Sequence, residues 1–151
     1  MLYRFKGDEL QVLLAHPGGP FWKKKDEGAW SIPKGVFEEN ETPFDAAKRE
    51  FKEETGFEAV GNFINLGSLR QSSKKIVHIW AVESDLDETK IVSNKFALEW
   101  PKNSGNIKEY PEIDKVGWFN IEQAKKKLQK GQVGFIDRLL SKLGTAQTSK
   151  L

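Results

Sequence analysis

The sequence contains no cysteine and only two histidines among its 151 residues. The absence of cysteine excludes disulfide bonds, thiolate zinc sites and a cysteine nucleophile. Two histidines cannot build a multi-histidine metal site, and both are predicted to be structural, His16 at the start of a turn and His78 in a strand with apolar neighbours. Any bound metal is therefore expected to have oxygen ligands, which favours magnesium or manganese over zinc or copper.

Long apolar runs and a strong charge of one sign are also absent. No run approaches the roughly 18 residues of a membrane helix, and the apolar stretch 10–15 is too short for a secretory signal. The net charge is only +2, from 24 basic and 22 acidic side chains, which does not indicate a nucleic-acid polymer as partner. These absences favour a cytoplasmic protein without a membrane partner, and they leave the oligomeric state open.

The residues that are present suit one folded domain. A hydrophobic fraction of 38% with 11% aromatic residues argues against disorder. We predict one domain over residues 1–144, followed by a flexible tail over 145–151. Strands are predicted at 10–15, 30–32, 57–60, 63–69, 75–83, 96–100 and 116–119, and helices at 43–55, from 121 to near 131, and at 133–143.

This order of elements predicts an α/β or α+β sandwich with helices on the faces of a mixed sheet. Strand 75–83 is apolar on both faces, so it is expected to be central and covered on both sides. Residues 101–115 are predicted to form a polar loop, and a loop of that length inside a compact domain is often functional.

Helix 43–55 has clear ends and an unusual acidic surface. Thr42 is a good N-cap, and Gly56 is well placed to end the helix. Glu50, Glu53 and Glu54 form one patch, although like charges at this spacing destabilise a helix by about 0.2–0.5 kcal/mol per pair and carboxylates are unfavourable near a helix C-terminus. A solvated acidic face is the ordinary explanation, but these glutamates lack the usual lysine partners. A bound divalent cation would remove the repulsion.

The acidic helix lies inside a longer pattern that resembles the Nudix box, G-x5-E-x7-R-E-U-x-E-E-x-G-U, in which U is a bulky apolar residue. Every defined position is filled. The matching residues are Gly35, Glu41, Arg49, Glu50, Phe51, Glu53, Glu54, Gly56 and Phe57. The order of strands and helices around the box is compatible with the Nudix α/β/α sandwich over the whole chain.

The resemblance implies a loop–helix–loop that binds Mg²⁺ or Mn²⁺ and a diphosphate. It makes Glu50, Glu53 and Glu54 the metal ligands, and Glu53 and Glu54 catalytic with them. It implies that Arg49 orients the glutamates, and that Gly35 forms the turn into the metal-binding loop. Hydrolysis of a phosphoanhydride needs charge neutralisation and an activated water, both of which metal ions supply.

Residues outside the box indicate where a substrate could bind. The segment Trp30–Gly35 is similar to Nudix enzymes that act on diadenosine polyphosphates or diphosphoinositol polyphosphates, and Lys34 would be a cationic clamp for phosphates. Trp22, Trp30 and Tyr110 are candidates for stacking on a base, although each ring could equally serve packing.

A further catalytic carboxylate is expected in the loop 101–115. Nudix enzymes often place a glutamate there as metal ligand or general base, and Glu109 and Glu112 are the two candidates. Their spacing does not distinguish them.

The resemblance implies a metal-dependent hydrolase of nucleoside diphosphate derivatives, and a dinucleoside polyphosphate such as diadenosine tetraphosphate is the favoured substrate. ADP-ribose or another nucleotide sugar, an ordinary or oxidised nucleoside triphosphate and a diphosphoinositol polyphosphate remain alternatives. Isopentenyl diphosphate isomerase has a related fold but needs a cysteine, which this chain lacks. A Nudix domain that only binds a ligand is the remaining class, and such domains tend to lose box glutamates that this chain retains.

Overall fold

The computed structural model describes residues 1–33, 41–70 and 76–148, with side chains described through residue 144. Within these residues the chain forms strands and helices in a mixed order. They are β1 (Leu2–Lys6), β2 (Glu9–Pro17), α1 (Pro43–Thr55), β3 (Phe63–Arg70), β4 (Ile76–Glu83), β5 (Lys95–Glu99), β6 (Ile107–Pro111), β7 (Ile113–Asn120), α2 (Ile121–Lys127) and α3 (Val133–Thr148). No helix in the described part of the chain is both long and apolar enough to cross a membrane.

Five strands form the central sheet in the order β3-β4-β1-β2-β7. The β1–β4 pair is parallel and the other pairs are antiparallel, so the sheet is mixed as predicted. Strands β5 and β6 form a separate two-stranded hairpin. Since β6 runs almost directly into β7, this hairpin is attached to the edge of the central sheet.

Strand β2 shows how the sheet supports a layer on each face. Its side chains alternate between the two sides because successive residues of a strand point in opposite directions. Val12 and Leu14 pack in a cluster with residues of α2 and α3. Leu13 and Ala15 pack in a second cluster that contains Phe51 of α1. The predicted α/β/α sandwich is therefore confirmed, with α1 on one face of the sheet and α2 and α3 on the other.

Helix α1 has the ends that the sequence predicted. The Thr42 hydroxyl accepts a hydrogen bond from the Asp45 N–H at 3.1 Å, which satisfies one of the free donors at the start of a helix. Gly56 adopts the left-handed conformation with φ 80°, and its N–H donates to the Lys52 carbonyl at 2.7 Å. A residue without a side chain carries this conformation without strain.

Several predicted boundaries are wrong. β1 was not predicted, and β6 lies inside the segment 101–115 that was predicted to be a loop, because its sequence is polar and its pairing partner is β5. Residues 57–60 are not a strand, and the segment around Trp30 makes only isolated bridges, to Ala15 and Leu128. Helix α3 continues to Thr148, past the predicted end.

Candidate active site

The glutamates of α1 surround the guanidinium group of Arg49. Glu41, just before the helix, accepts two hydrogen bonds from Arg49, at 2.7 Å from Nε and 3.0 Å from Nη2. Arg49 Nη1 also donates to Glu50 at 3.0 Å and to Glu53 at 3.1 and 3.2 Å. These charge-assisted bonds raise the pKa of Arg49, with the Glu41 pair as the largest cause. Arg49 thus binds three carboxylates of the box, Glu41 just before the helix and Glu50 and Glu53 within it.

The carboxyl group of Glu50 has a raised pKa. Burial raises its pKa, and the charges of Glu53 and Glu112 raise it further, while Arg49 opposes both effects. Glu54, on the same side of the helix, has its Oε2 atom buried. Buried carboxylates are unfavourable unless a positive charge or hydrogen bonds stabilise them, so this surface is suited to a cation.

The two candidates for the further catalytic carboxylate, Glu109 and Glu112, differ in their position, and only the charge of Glu112 affects the pKa of Glu50. Glu112 lies at the junction of β6 and β7, where its N–H donates to the Asn94 carbonyl at 2.8 Å and its carbonyl accepts from the Gly18 N–H at 2.9 Å. Glu109 lies within β6 opposite Ala97 and is exposed. The Asn94 N–H in turn donates to the Glu53 carbonyl at 2.9 Å, so the backbone of Glu112 is linked to α1 through Asn94, whereas Glu109 is paired within the hairpin.

Gly18 is needed at the Glu112 junction because no side chain fits there. A Cβ atom built on Gly18 would lie 1.9 Å from the carbonyl oxygen of Pro111, well inside the contact distance of two non-bonded heavy atoms. The turn after β2 can therefore approach the β6–β7 junction closely enough to make its hydrogen bond to Glu112.

The donor set around α1 fits a hard divalent cation. Glu50, Glu53, Glu54 and Glu112 offer carboxylate oxygens, which suit Mg²⁺ or Mn²⁺ and leave further coordination positions for water and phosphate. Among the described residues no three acidic or histidine side chains already converge on one point. This agrees with the hydrogen bonds of Arg49, because the carboxylates of Glu50 and Glu53 are turned toward its guanidinium group.

A groove with aromatic walls runs beside the N-terminal half of α1. Phe44 of α1 contacts both Phe63 and Trp80 edge to face, with centroid distances of 4.9 and 5.3 Å. His78 stacks on Trp80 at 4.1 Å. Lys48, one turn along the helix from Phe44, contributes a positive charge to the lining. The α1 residues that line the groove extend from Pro43 to Phe51, and the box glutamates of the same helix are not among them.

The rings predicted to stack on a base lie elsewhere. Trp30 is only 5% exposed and packs edge to face against Phe119 and His16, so the prediction for Trp30 is wrong: its faces are used by the core. Trp22 contacts Phe21, and Tyr110 lies 6.2 Å from Phe96. Neither Trp22 nor Tyr110 is among the described residues that line the groove.

Two predicted residues, Lys34 and Gly35, lie outside the described residues. The prediction that both histidines are structural agrees with the contacts of His16, which is buried between Asp114 at 2.8 Å and the Lys25 carbonyl at 2.6 Å. His78 is held by Asn65 and Ser68, but it also lines the groove.

The sequence did not predict the groove, nor the hydrogen bonds of Asn94 and Gly18 that hold the backbone of Glu112. Phe44 is one of the apolar residues of α1, and nothing in the local sequence distinguishes a core phenylalanine from one that lines a groove. Asn94 acts through backbone atoms, so its residue type does not reveal its role. Gly18 lies in a Pro-Gly-Gly-Pro sequence that is typical of a turn, but nothing local shows which strand this turn approaches.

The chain resembles known proteins over most of its length. Residues 1–139 match the family model described as NUDIX domain. A search of curated protein sequences found no match. Among solved structures, the C. elegans Ap4A hydrolase binary complex is 19% identical, with 95% of each chain covered and a TM-score of 0.64.

Two further solved structures are similar over most of both chains. The NUDIX domain of Shewanella oneidensis NrtR, complexed with ADP ribose, is 15% identical, with 94% of this chain and 83% of that chain covered and a TM-score of 0.63. A mutT/nudix family protein from Listeria innocua is 19% identical, with coverages of 97% and 92% and a TM-score of 0.62. At these identities the likenesses establish a shared fold.

Proposed function

Since the chain belongs to the Nudix family of pyrophosphohydrolases, whose members generally need divalent cations, we propose that it hydrolyses a phosphoanhydride bond of a dinucleoside polyphosphate, with diadenosine tetraphosphate as the type case. The observation that carries this proposal is the position of Glu112, whose backbone is bonded through Asn94 to the turn of α1 that carries the box glutamates. Burial, together with the neighbouring charges of Glu53 and Glu112, raises the pKa of Glu50, and such a carboxylate is unfavourable for stability alone and suits cation-dependent chemistry.

We assign the metal-binding role to Glu50, Glu53 and Glu54, with Mg²⁺ or Mn²⁺ as the cation. A bound cation neutralises the phosphate oxygens and lowers the pKa of a bound water. Arg49 holds the carboxylates of Glu50 and Glu53 through its hydrogen bonds, and both would turn from its guanidinium group toward a bound cation. The chain itself thereby gathers carboxylate oxygens on one helix.

Glu112 is the proposed general base. Its carboxylate takes a proton from the attacking water while the water oxygen forms a bond to phosphorus and the bond from phosphorus to the bridging oxygen breaks. A positioned base of this kind contributes about 10²–10⁴-fold to the rate. The products are two phosphate-ended fragments, and no covalent intermediate with the chain is required.

The groove beside α1 is the proposed location of a nucleoside group. Its aromatic residues Phe44, Phe63 and Trp80 provide an apolar surface for a base, and Lys48 adds a positive charge near the phosphates. The name of the similar C. elegans structure, an Ap4A hydrolase, supports a dinucleoside polyphosphate.

ADP-ribose is the second candidate substrate. The NrtR domain complexed with ADP ribose has nearly the same TM-score to this chain, and one groove with aromatic walls would serve either compound. Nucleoside triphosphates remain a third possibility, and a domain that binds without hydrolysis is the remaining class.

The test is a side-by-side measurement of kcat/KM on diadenosine tetraphosphate, ADP-ribose and the four ordinary nucleoside triphosphates, with Mg²⁺ and with Mn²⁺. We expect the highest kcat/KM on diadenosine tetraphosphate and no turnover with a chelator. A tenfold lead of ADP-ribose or of one triphosphate would overturn the substrate assignment. Binding without hydrolysis of any compound would overturn the catalytic assignment.

A further inference from the structure

Residues 92–94 complete the C-terminal end of α1. The last carbonyl groups of a helix have no partner within the helix. Here the Val92 N–H donates to the Thr55 carbonyl at 2.9 Å, and the Asn94 N–H donates to the Glu53 carbonyl at 2.9 Å. The segment is therefore bonded to the turn of α1 that carries the catalytic carboxylates.

The same segment also holds the Glu112 junction. The Asn94 carbonyl accepts the N–H of Glu112 at 2.8 Å. The Ser93 hydroxyl accepts the N–H of Ile113 at 3.0 Å and donates to the Asn94 carbonyl at 2.9 Å. Residues 92–94 thus form a bridge of hydrogen bonds between α1 and Glu112, and Ser93 is the member of this bridge that bonds through its side chain.

We infer that Ser93 is a positioning residue, whose hydroxyl holds the Glu112 backbone at a fixed separation from the carboxylates of α1. This inference rests on the proposed function, because it gives Ser93 a role only through Glu112. The Ser93 hydroxyl bonds to two backbone atoms, the Ile113 N–H and the Asn94 carbonyl, so Ser93 acts on the path of the chain and not on a substrate.

The buried surroundings of Ile113 explain why this hydroxyl matters. Ile113 is 8% exposed and the bond from its N–H to Ser93 is partly buried, so without Ser93 this N–H would lose its acceptor where access to water is restricted. A buried donor that loses its partner is costly, and the chain relaxes to find another one. A shift of about 1 Å in a catalytic group can lower a rate about 10²-fold, so even a small relaxation would be visible in kcat.

The experiment compares Ser93→Ala with Ser93→Thr and Ser104→Ala. We expect Ser93→Ala to lower kcat about tenfold or more with KM changed less than about twofold, since the groove is untouched. Ser93→Thr keeps the hydroxyl and should restore most of kcat. Ser104→Ala is the matched control, because Ser104 accepts a similar N–H bond from Asn106, at 3.2 Å, within the turn of the β5–β6 hairpin.

A double-mutant cycle with Glu112→Gln separates positioning from general stability. If Ser93 acts through Glu112, Ser93→Ala should cause no further loss of kcat in the Glu112→Gln background. An equal loss in both backgrounds, an unchanged kcat, or an equal loss in Ser104→Ala would overturn the inference. Should Ser93→Ala not fold, Ser93→Cys, with its weaker acceptor, is measured in the same cycle. Absence of hydrolysis by the unmodified chain would instead contradict the proposed function.

Discussion

At the scale of single residues, the paired box glutamates are the first test of the metal-binding assignment. Glu53→Gln and Glu54→Gln keep the shape of the side chain and remove its charge. We expect either change to lower kcat about 10²-fold or more, by analogy with removal of one electrostatic catalytic group. Circular dichroism should show an unchanged fold. Normal turnover by Glu54→Gln would contradict the assignment of that residue.

Glu112 and Glu109 form a matched pair for the identity of the general base. Glu112→Gln should lower kcat far more than it raises KM, because a base acts in the transition state. Glu109→Gln should leave kcat within about twofold, because Glu109 is exposed on the hairpin and exposed surface changes have small effects. Steady-state measurements of kcat and KM for the two variants test this assignment. A large loss of kcat in Glu109→Gln with normal kcat in Glu112→Gln would identify Glu109 as the general base instead.

The raised pKa of Glu50 predicts how stability depends on pH without metal. The folded chain binds the Glu50 proton more tightly than the unfolded chain does, so this contribution to stability is full below the ordinary glutamate pKa and is lost as the pH rises through the raised value. Glu50→Gln removes a charge whose burial and repulsion outweigh its ion pair with Arg49, and two like-charge pairs on a helix alone cost about 0.4–1 kcal/mol. Its Tm in chelator should therefore exceed that of the unmodified protein by about 1–3 °C near neutral pH.

The increase in Tm caused by Glu50→Gln should disappear at about pH 3.5, where most glutamates are protonated. Thermal unfolding at both pH values, followed by circular dichroism, measures the difference. Glu109→Gln, at an exposed position, is the control and should show no such dependence. A Tm gain for Glu50→Gln that is independent of pH would contradict the explanation by ionisation.

At the scale of elements, Gly56 ends α1 and packs closely against Val92 in the bridge of residues 92–94. A Cβ atom there would lie 3.0 Å from the Val92 carbonyl oxygen, and the backbone has φ 80°. Gly56→Ala should therefore destabilise the fold by about 1–2 kcal/mol. Urea unfolding measures this loss. A loss of a few tenths of a kcal/mol would mean that the turn relaxes without strain.

The sequence predicted well those elements whose ends are determined by residues close together in the chain. The ends of α1 follow from Thr42, Pro43 and Gly56, whose preferences depend only on neighbouring residues. Strand β6 has no such signal, because its polar residues form a strand only through pairing with β5. In the site, the box glutamates follow from spacing along one helix, whereas the choice of Glu112 over Glu109 depends on Gly18 and Asn94, which are distant in the chain.

At the scale of the whole molecule, one face of the sheet packs against α1, which carries the box glutamates, and the other packs against α2 and α3. Leu13 and Leu14 are adjacent and fully buried, but Leu13 packs in the α1 layer and Leu14 in the α2–α3 layer. Replacing either by alanine should cost about 2–5 kcal/mol in urea unfolding. Only Leu13→Ala should also lower kcat at temperatures where both variants are folded. An equal kcat loss in Leu14→Ala would contradict this division.

The bridge of residues 92–94 also has a consequence for the order in which the protein acquires its activity. Helix α1 can begin from local signals, but its last carbonyls and Glu112 come together only when a much later part of the chain has docked. Contacts between distant segments form slowly because the intervening chain must first be closed into a loop. An incompletely synthesised or partly folded chain therefore carries the whole box sequence and yet lacks the assembled catalytic centre.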